Sequence, residues 1–371
     1  MRARELFRRF VGALRGFGFK QWFLLILNVT LIAATIASLA GLQVVCNTLE
    51  SVRGAETFRG DSDMRFAQIA CFMPVGKGKG ESDILAFHQT LDTKLTEQSL
   101  EAPENGSLYI DAYSTSATVT VNSDNSKNVQ VEAIAVGGEF FYFHPLRLRS
   151  GSYISSDDLM DDLVVLDEEL AWRLFGGVEL EGMTFTINNQ PFMVAGVISR
   201  ENDFATKKAY SAGAGLFMSY SALKRLVDTT TISCYEIIMP DPITNFAMGV
   251  VEGVFSPEEN DVVENSSRYS LGHLLSVIGS FGDRSMRTNG VIYPYWENAV
   301  RLTEDYASLL LILTVIFALC PLTFVVVLII KNIVRGYRKV KKVVPEKVEA
   351  AIEQRREERL EREYEKKAGG E

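Results

Sequence analysis

The chain is poor in the residues from which active sites and metal centres are built. Among 371 residues there are only three histidines and four cysteines. His88, His144 and His273 stand far apart, and no Cys-x-x-Cys or H-E-x-x-H spacing occurs, which removes the usual zinc sites. There is no G-x-S-x-G elbow to present a nucleophile. The glycine-rich run Gly76-Lys77-Gly78-Lys79-Gly80-Glu81-Ser82 lacks the G-x-x-x-x-G-K-[ST] spacing that cradles phosphates. Asp157, Asp158, Asp161 and Asp162 form an acidic cluster without the glycine and terminal glutamate of a calcium loop, so they read as a solvated, helix-capping run. The chain is read as a non-enzyme without cofactor or metal.

Charge is missing from two long runs. Trp22 to Val45 and Tyr306 to Ile330 contain no ionisable side chain apart from tyrosine and cysteine. Each is longer than the roughly 20 residues a helix needs to cross a hydrocarbon core. A proton or ion path through these helices alone is thereby disfavoured. The basic residues flank the runs. Arg2, Arg4, Arg8, Arg9, Arg15 and Lys20 precede the first, against Glu5 alone, and Lys331, Arg335, Arg338, Lys339, Lys341 and Lys342 follow the second. Basic flanks stay cytoplasmic, so both termini are expected inside and the middle outside. That middle is acidic: 19 basic residues against 37 acidic, a net charge of −18. Such a surface repels phosphate backbones, and nucleic acid is excluded as a partner. Ser38-Leu39-Ala40 resembles a signal cleavage site, but the apolar run is longer than a signal core, and a first span is the preferred reading.

Five segments follow: 1–20, a basic cytoplasmic helix; 21–45, the first span; 46–305, the extracytoplasmic domain; 306–330, the second span; and 331–371, a charged helical tail. In the first segment Leu6, Phe10, Leu14 and Phe17 share one helical face and are candidates for contact with the membrane surface or with an ATPase. In the first span Ala33, Ala37 and Gly41 repeat every four residues, with Thr30, Ala34 and Ser38 on the adjoining ridge. Small residues at this spacing let a second helix approach, in a homo- or hetero-oligomer. Asn28 is the strongly polar side chain of that span and calls for a protein-facing position. Pro321 predicts a kink in the second span.

The middle segment mixes strands and helices without a strict βαβ repeat, which argues an α+β domain. Strands are expected at 65–72, 108–121, 129–136, 163–166, 183–187, 192–198 and 234–239. Helices are expected over residues carrying Ile84, Phe87, Leu91 and Leu95, over Glu168 to Phe175, and over Ser219 to Asp228. The segment 269–306 reads as mostly helical. Cys71 and Cys234 fall in the outer segment, where a disulfide is chemically allowed; two free buried thiols is the other reading.

One stretch is more specific. Val164-Val165-Leu166, Glu168, Leu170-Ala171 and Leu174-Phe175-Gly176 fit the pattern V-V-[IL]-[SD]-E-x-[LA]-A-x-x-L-F-G. Gly182, Phe185, Ile187-Asn188, Phe192, Val194 and Gly196-Val197 fit a following hairpin, G-x-x-[IF]-x-[IL]-N-x-x-x-[FY]-x-V-x-G-V, and Leu216-Phe217-Met218 fits its continuation. This stretch resembles the periplasmic core domain of MacB/FtsX-type ABC transporter permeases, departing at the turn where Gly151-Ser152-Tyr153 replaces Gly-Arg-x-Phe. The resemblance implies a MacB-like periplasmic core flanked by two transmembrane α-helices in the cell membrane. It implies a non-catalytic subunit working with a separate ABC ATPase. Such permeases have one span before the outer domain and three after it, whereas one run follows here. A permease-like or accessory subunit beside a fuller, multispan permease is therefore expected. The alternative is a membrane-anchored receptor or scaffold that binds a ligand or envelope component without ATP.

Overall fold

The computed structural model describes residues 18–100, 102, 106–156, 158–210, 215–282 and 284–368. Leu6, Phe10, Leu14 and Phe17 lie outside the described residues. The chain forms two compact units, one of Met1–Ala40 with Leu311–Glu371 and one of Gly41–Leu310.

The Gly41–Leu310 unit is built on one ten-stranded sheet. Its strands are β1 (Phe66–Phe72), β2 (Ile110–Asn122), β3 (Val129–Gly138), β4 (Arg147–Gly151), β5 (Leu163–Asp167), β6 (Thr184–Ile187), β7 (Gln190–Ser199), β8 (Gly215–Ser219), β9 (Cys234–Pro240) and β10 (Asp261–Glu264). They lie in the order β10-β1-β9-β2-β3-β8-β5-β7-β4, with β6 clipped to the ends of β2 and β7. Pairing is antiparallel except for β3 with β8 and β5 with β7. The strands expected from the sequence are present, and β4, β8 and β10 complete the sheet.

Alternation along the strands divides the core into two layers. On one face Ile69, Cys71, Tyr235, Ile237 and Met239 pack under the helices α3 (Glu81–Glu97), α5 (Glu168–Phe175), α7 (Tyr220–Leu226) and α8 (Phe246–Glu252). Helix α3 buries Ile84, Phe87, Leu91 and Leu95, the face its period predicts, and each such side chain contributes about 1.5–3 kcal/mol relative to exposure. On the opposite face Ala70, Phe72, Cys234 and Ile238 pack with α2 (Gly54–Arg59), α4 (Phe140–Phe143), Tyr293 and Trp296. The 3-10 turn Glu50–Val52 and the short helix α6 (Thr206–Ala209) join Ala299 and Val300 in a third, smaller cluster.

The motif stretch has a physical reading. Asp167 caps α5 by accepting the Leu170 N–H at 2.7 Å, and its other oxygen takes the Gly215 N–H at 2.5 Å and the Arg200 guanidinium at 2.6 Å. A single carboxylate, 3% exposed, thus ties β5, α5, β8 and the end of β7 together. Gly176 ends α5 at φ +78°, a conformation that side chains with a Cβ resist. At Gly196 a Cβ would stand 2.4 Å from the Ser152 carbonyl oxygen, so β4 approaches β7 only because that side chain is absent. Asn188 and Asn189 turn the β6–β7 hairpin with φ of +47° and +66°.

Residues 269–306 are helical over α9 (Leu271–Ile278) and again from Tyr295, and the described residues between these two helices are irregular. Cys71 and Cys234 are free. Cys71 is paired in register with Tyr235, and Cys234 with Phe72, so the two thiols sit one step apart and face opposite core layers. Burial pushes the Cys71 thiol up to about 12 and the Cys234 thiol well above its ordinary value.

The other unit contains most of α1 (Phe19–Cys46) and of α10 (Tyr295–Ala368). α10 is one helix of 74 residues, about 110 Å at 1.5 Å per residue, and it continues through Pro321 and Pro345. Both helices are long and apolar enough to cross a membrane. The charged tail is the last part of α10, not a separate helix.

Candidate coupling site at the root of the second span

The apolar run of α10 begins at Tyr306, yet the helix begins at Tyr295, and the three turns between are sunk into the outer domain. Trp296, Ala299 and Val300 are buried. The Trp296 ring lies 5.4 Å from Phe140 and 4.7 Å from His144, and Tyr295 stacks on Tyr210 at 4.3 Å. His144 in turn meets Glu236 of β9 at 2.6 Å, with both side chains 4% exposed. The root of the helix is therefore fixed to the central sheet by aromatic packing and a buried polar pair.

Charged contacts complete the socket. Arg268, 1% exposed, follows the 3-10 turn Asn265–Ser267. Its guanidinium reaches Glu297 at 2.6 Å, Glu304 at 3.1 Å and the Asn265 side-chain oxygen at 2.7 Å. Burial alone pulls that guanidinium's pKa down, but the two glutamates outweigh it and hold it above the ordinary arginine value. Glu297 also accepts from Arg301 at 2.5 Å, and Arg301 spans to Asp261 of β10 at 2.6 Å. Arg284, in the irregular segment before α10, pairs with Glu304 and lies 3.1 Å from Asp305; His273 of α9 lies 3.0 Å from Glu304. Three arginines and four carboxylates thus join β10, α9, the segment before α10 and α10 itself. Desolvated charges of this kind demand their partners, because removing one leaves another buried and unpaired.

The arrangement is a network of paired charges. Glu297, Glu304 and Asp261 are each occupied by guanidinium groups, and no group of metal-ligating side chains occurs among the described residues. What it does is mechanical: it makes the first three turns of α10 part of the domain. In the acidic run, Asp158 accepts the Ser155 N–H at 2.7 Å and Asp161 pairs with Arg225 at 3.3 Å. The glycine-rich run leads into α3, where Asp83 accepts the Gly80 N–H at 2.8 Å.

In the membrane unit, the Thr314 hydroxyl donates to Ser38 at 2.8 Å, joining α10 to α1. Of the small residues, Ser38 is buried and Ala34 half-buried, while Thr30, Ala33 and Ala37 are uncovered. Asn28 is buried; it donates to the Leu24 carbonyl at 2.8 Å, and its own oxygen has no partner among the described residues. In the domain unit, Gly41 faces Leu310, whose side chain would stand 3.6 Å from a Cβ built there. Each ridge read from the sequence is therefore engaged at its later end, through Ser38 or Gly41, while Thr30, Ala33 and Ala37 are exposed. The socket escaped sequence reading altogether. The trace it leaves is the cluster Glu297, Arg301, Glu304 at helical spacing just before an apolar run.

The family model for the MacB-like periplasmic core domain matches residues 25–248. No curated protein matches the sequence. Among solved structures, the periplasmic region of MacB from Actinobacillus actinomycetemcomitans aligns with a TM-score of 0.39 and 18% identity, covering 59% of this chain and 94% of that one. The extracellular domain of the noncanonic ABC-type transporter YknZ from Gram-positive bacteria aligns with a TM-score of 0.36 and 11% identity, covering 53% and 99%. A domain of a putative permease protein from Porphyromonas gingivalis aligns with a TM-score of 0.30 and 10% identity, covering 55% and 91%. The family match takes in the strand–helix–hairpin stretch around Asp167 and ends in α8, before the socket. Since it spans more than half of the sequence, the chain belongs to the MacB-like periplasmic core domain family.

Proposed function

We infer that the chain is a non-catalytic, permease-like or accessory subunit of an ABC-type transport or mechanotransmission complex. It acts with a separate cytoplasmic ATPase and with a fuller, multispan permease. Both termini lie in the cytoplasm and the sheet domain lies outside. The observation that carries this reading is α10: its root is locked into the sheet domain by buried charges, and the same helix runs on through the apolar segment into a charged tail. Motion imposed on such a helix at one end has few soft joints in which to dissipate. The exposed small residues Thr30, Ala33 and Ala37 form the surface for a neighbouring permease helix. Leu6, Phe10, Leu14 and Phe17, with the tail, are the surfaces for the ATPase.

Gentle extraction from the native membrane, followed by identification of co-purifying proteins, tests the reading. An ATPase and a multispan permease are expected in stoichiometric amounts. Recovery of the chain without either would sink the proposal.

A further inference from the structure

α9 is apolar on both sides. Leu274 and Val277 are buried against the domain, while Leu271 and Leu275 are 62% and 55% exposed. Leucines exposed on a helix whose other apolar side chains are already buried call for cover of their own. Its height is set by α10: the Ser308 hydroxyl donates to the Leu274 carbonyl at 2.9 Å, and Tyr269, just before α9, bonds Thr303 at 2.8 Å. Ser308 and the exposed Leu309 belong to the charge-free run that opens at Tyr306. The outward leucines of α9 are thus continuous with the surface on which the second span enters the bilayer.

The same level carries cations on a domain that is otherwise strongly acidic. Lys208 of α6 donates to the Tyr306 hydroxyl at 2.5 Å, and Phe204 packs on the Tyr306 ring at 5.2 Å. Lys207 beside it is exposed. A cleft of about 460 Å³ at the outer end of α1 is lined by Cys46, Ser270 and Tyr269, and by Arg53, Arg59 and Arg65. Arg53 is paired with Glu56, and Arg65 with Asp241 and Glu264; Arg59 and Lys207 have no ion-pair partner among the described residues. An aromatic ring, a snorkelling lysine and unpaired cations beside an apolar helix are the composition of a protein–lipid boundary.

The geometry points to a membrane-docking collar: α9 lies in the domain-side leaflet with Leu271 and Leu275 among the acyl chains, while Lys207 and Arg59 meet lipid phosphates. The collar is a contact with lipid that neither span makes, and it holds the sheet domain down on the bilayer. It does not depend on the ATPase or the permease.

The test uses the full chain in bilayer nanodiscs of phosphatidylcholine with phosphatidylglycerol. Cys46→Ser and Cys320→Ser leave only the buried thiols, and a nitroxide is placed at Leu275→Cys or, as a water-exposed control, at Met183→Cys. The Leu275 label is expected to collide several-fold more with oxygen, and several-fold less with a water-soluble nickel chelate, than the control. This corresponds to a depth of roughly 5–10 Å. Nickel accessibility equal to the control overturns the proposal. Low accessibility to both reagents also overturns it, because a protein then covers the face. Lys207→Glu with Arg59→Glu is expected to raise nickel accessibility at Leu275 in the anionic discs; an unchanged value refutes the phosphate contacts.

Discussion

The guanidinium of Arg268 meets the carboxylate of Glu297 at 2.6 Å, and neither side chain is more than 3% exposed. Glu297 belongs to α10, whereas Arg268 belongs to the domain, so this pair is where the outer domain grips its membrane helix. Replacing Arg268 by Met takes the buried guanidinium from Glu297 and Glu304 and leaves Arg301, Arg284 and His273 alone to offset them. A loss of about 3–5 kcal/mol is expected. Thermal and denaturant unfolding of the full chain in detergent measures it; a change below about 1 kcal/mol would mean that water reaches the socket.

The Ser38–Thr314 bond asks for a smaller number. Hydrogen bonds between helices within a membrane average about 0.6 kcal/mol. A double-mutant cycle with Ser38→Ala and Thr314→Val is expected to return a coupling of that order. A coupling of zero would place the hydroxyls apart in the bilayer.

Ala33 and Ala37 separate stability from assembly. Because both are uncovered, Ala33→Leu with Ala37→Leu is expected to leave the melting temperature unchanged and to reduce recovery of the multispan permease at least tenfold. A tenfold change corresponds to about 1.4 kcal/mol of binding. Full recovery of the permease would show that the ridge faces only lipid.

His88 supplies a pH dependence. Its Nε2 lies 2.5 Å from Asp111, which also accepts the Tyr235 hydroxyl at 2.9 Å. The hydrogen bond to Asp111 raises the imidazole above its ordinary value of 6.5, against the opposing effect of burial. A raised histidine holds a proton more tightly folded than unfolded. Its contribution is therefore complete below pH 6.5 and fades as pH climbs through the higher folded value. Unfolding midpoints of the native chain and of His88→Gln are expected to converge as pH rises through that window. Parallel curves across it would remove His88 from the linkage.

What was legible in the sequence and what was not follow a physical divide. Ile84, Phe87, Leu91 and Leu95 repeat with the helical period and so announce α3 and its buried face. Asp167 and Gly176 mark the two ends of α5 because capping chemistry is local. The socket is not local: Arg268 finds Glu297 and Glu304 across 29 and 36 positions, with no periodicity to link them. A helical wheel offers two small-residue ridges in α1, and only packing shows that Ser38 meets Thr314 while Ala33 and Ala37 stay exposed. Likewise the place of Cys71 and Cys234 in the outer segment allows a bridge, while the register of β1 on β9 turns the thiols to opposite faces. The segment before α10 looked helical from composition, yet Arg284 there, and Tyr293, are held by long-range partners in place of a helical ladder.

α10 is one hydrogen-bonded element from Tyr295 to Ala368, and this carries a thermodynamic consequence. A coupling carried by a single helix is reciprocal. If binding at the far end of α10 biases the sheet domain by some free energy, anything that binds the sheet domain in the favoured state biases that binding by the same amount. A domain rooted in this way is as well placed to report outward events to the inside as to be driven from it.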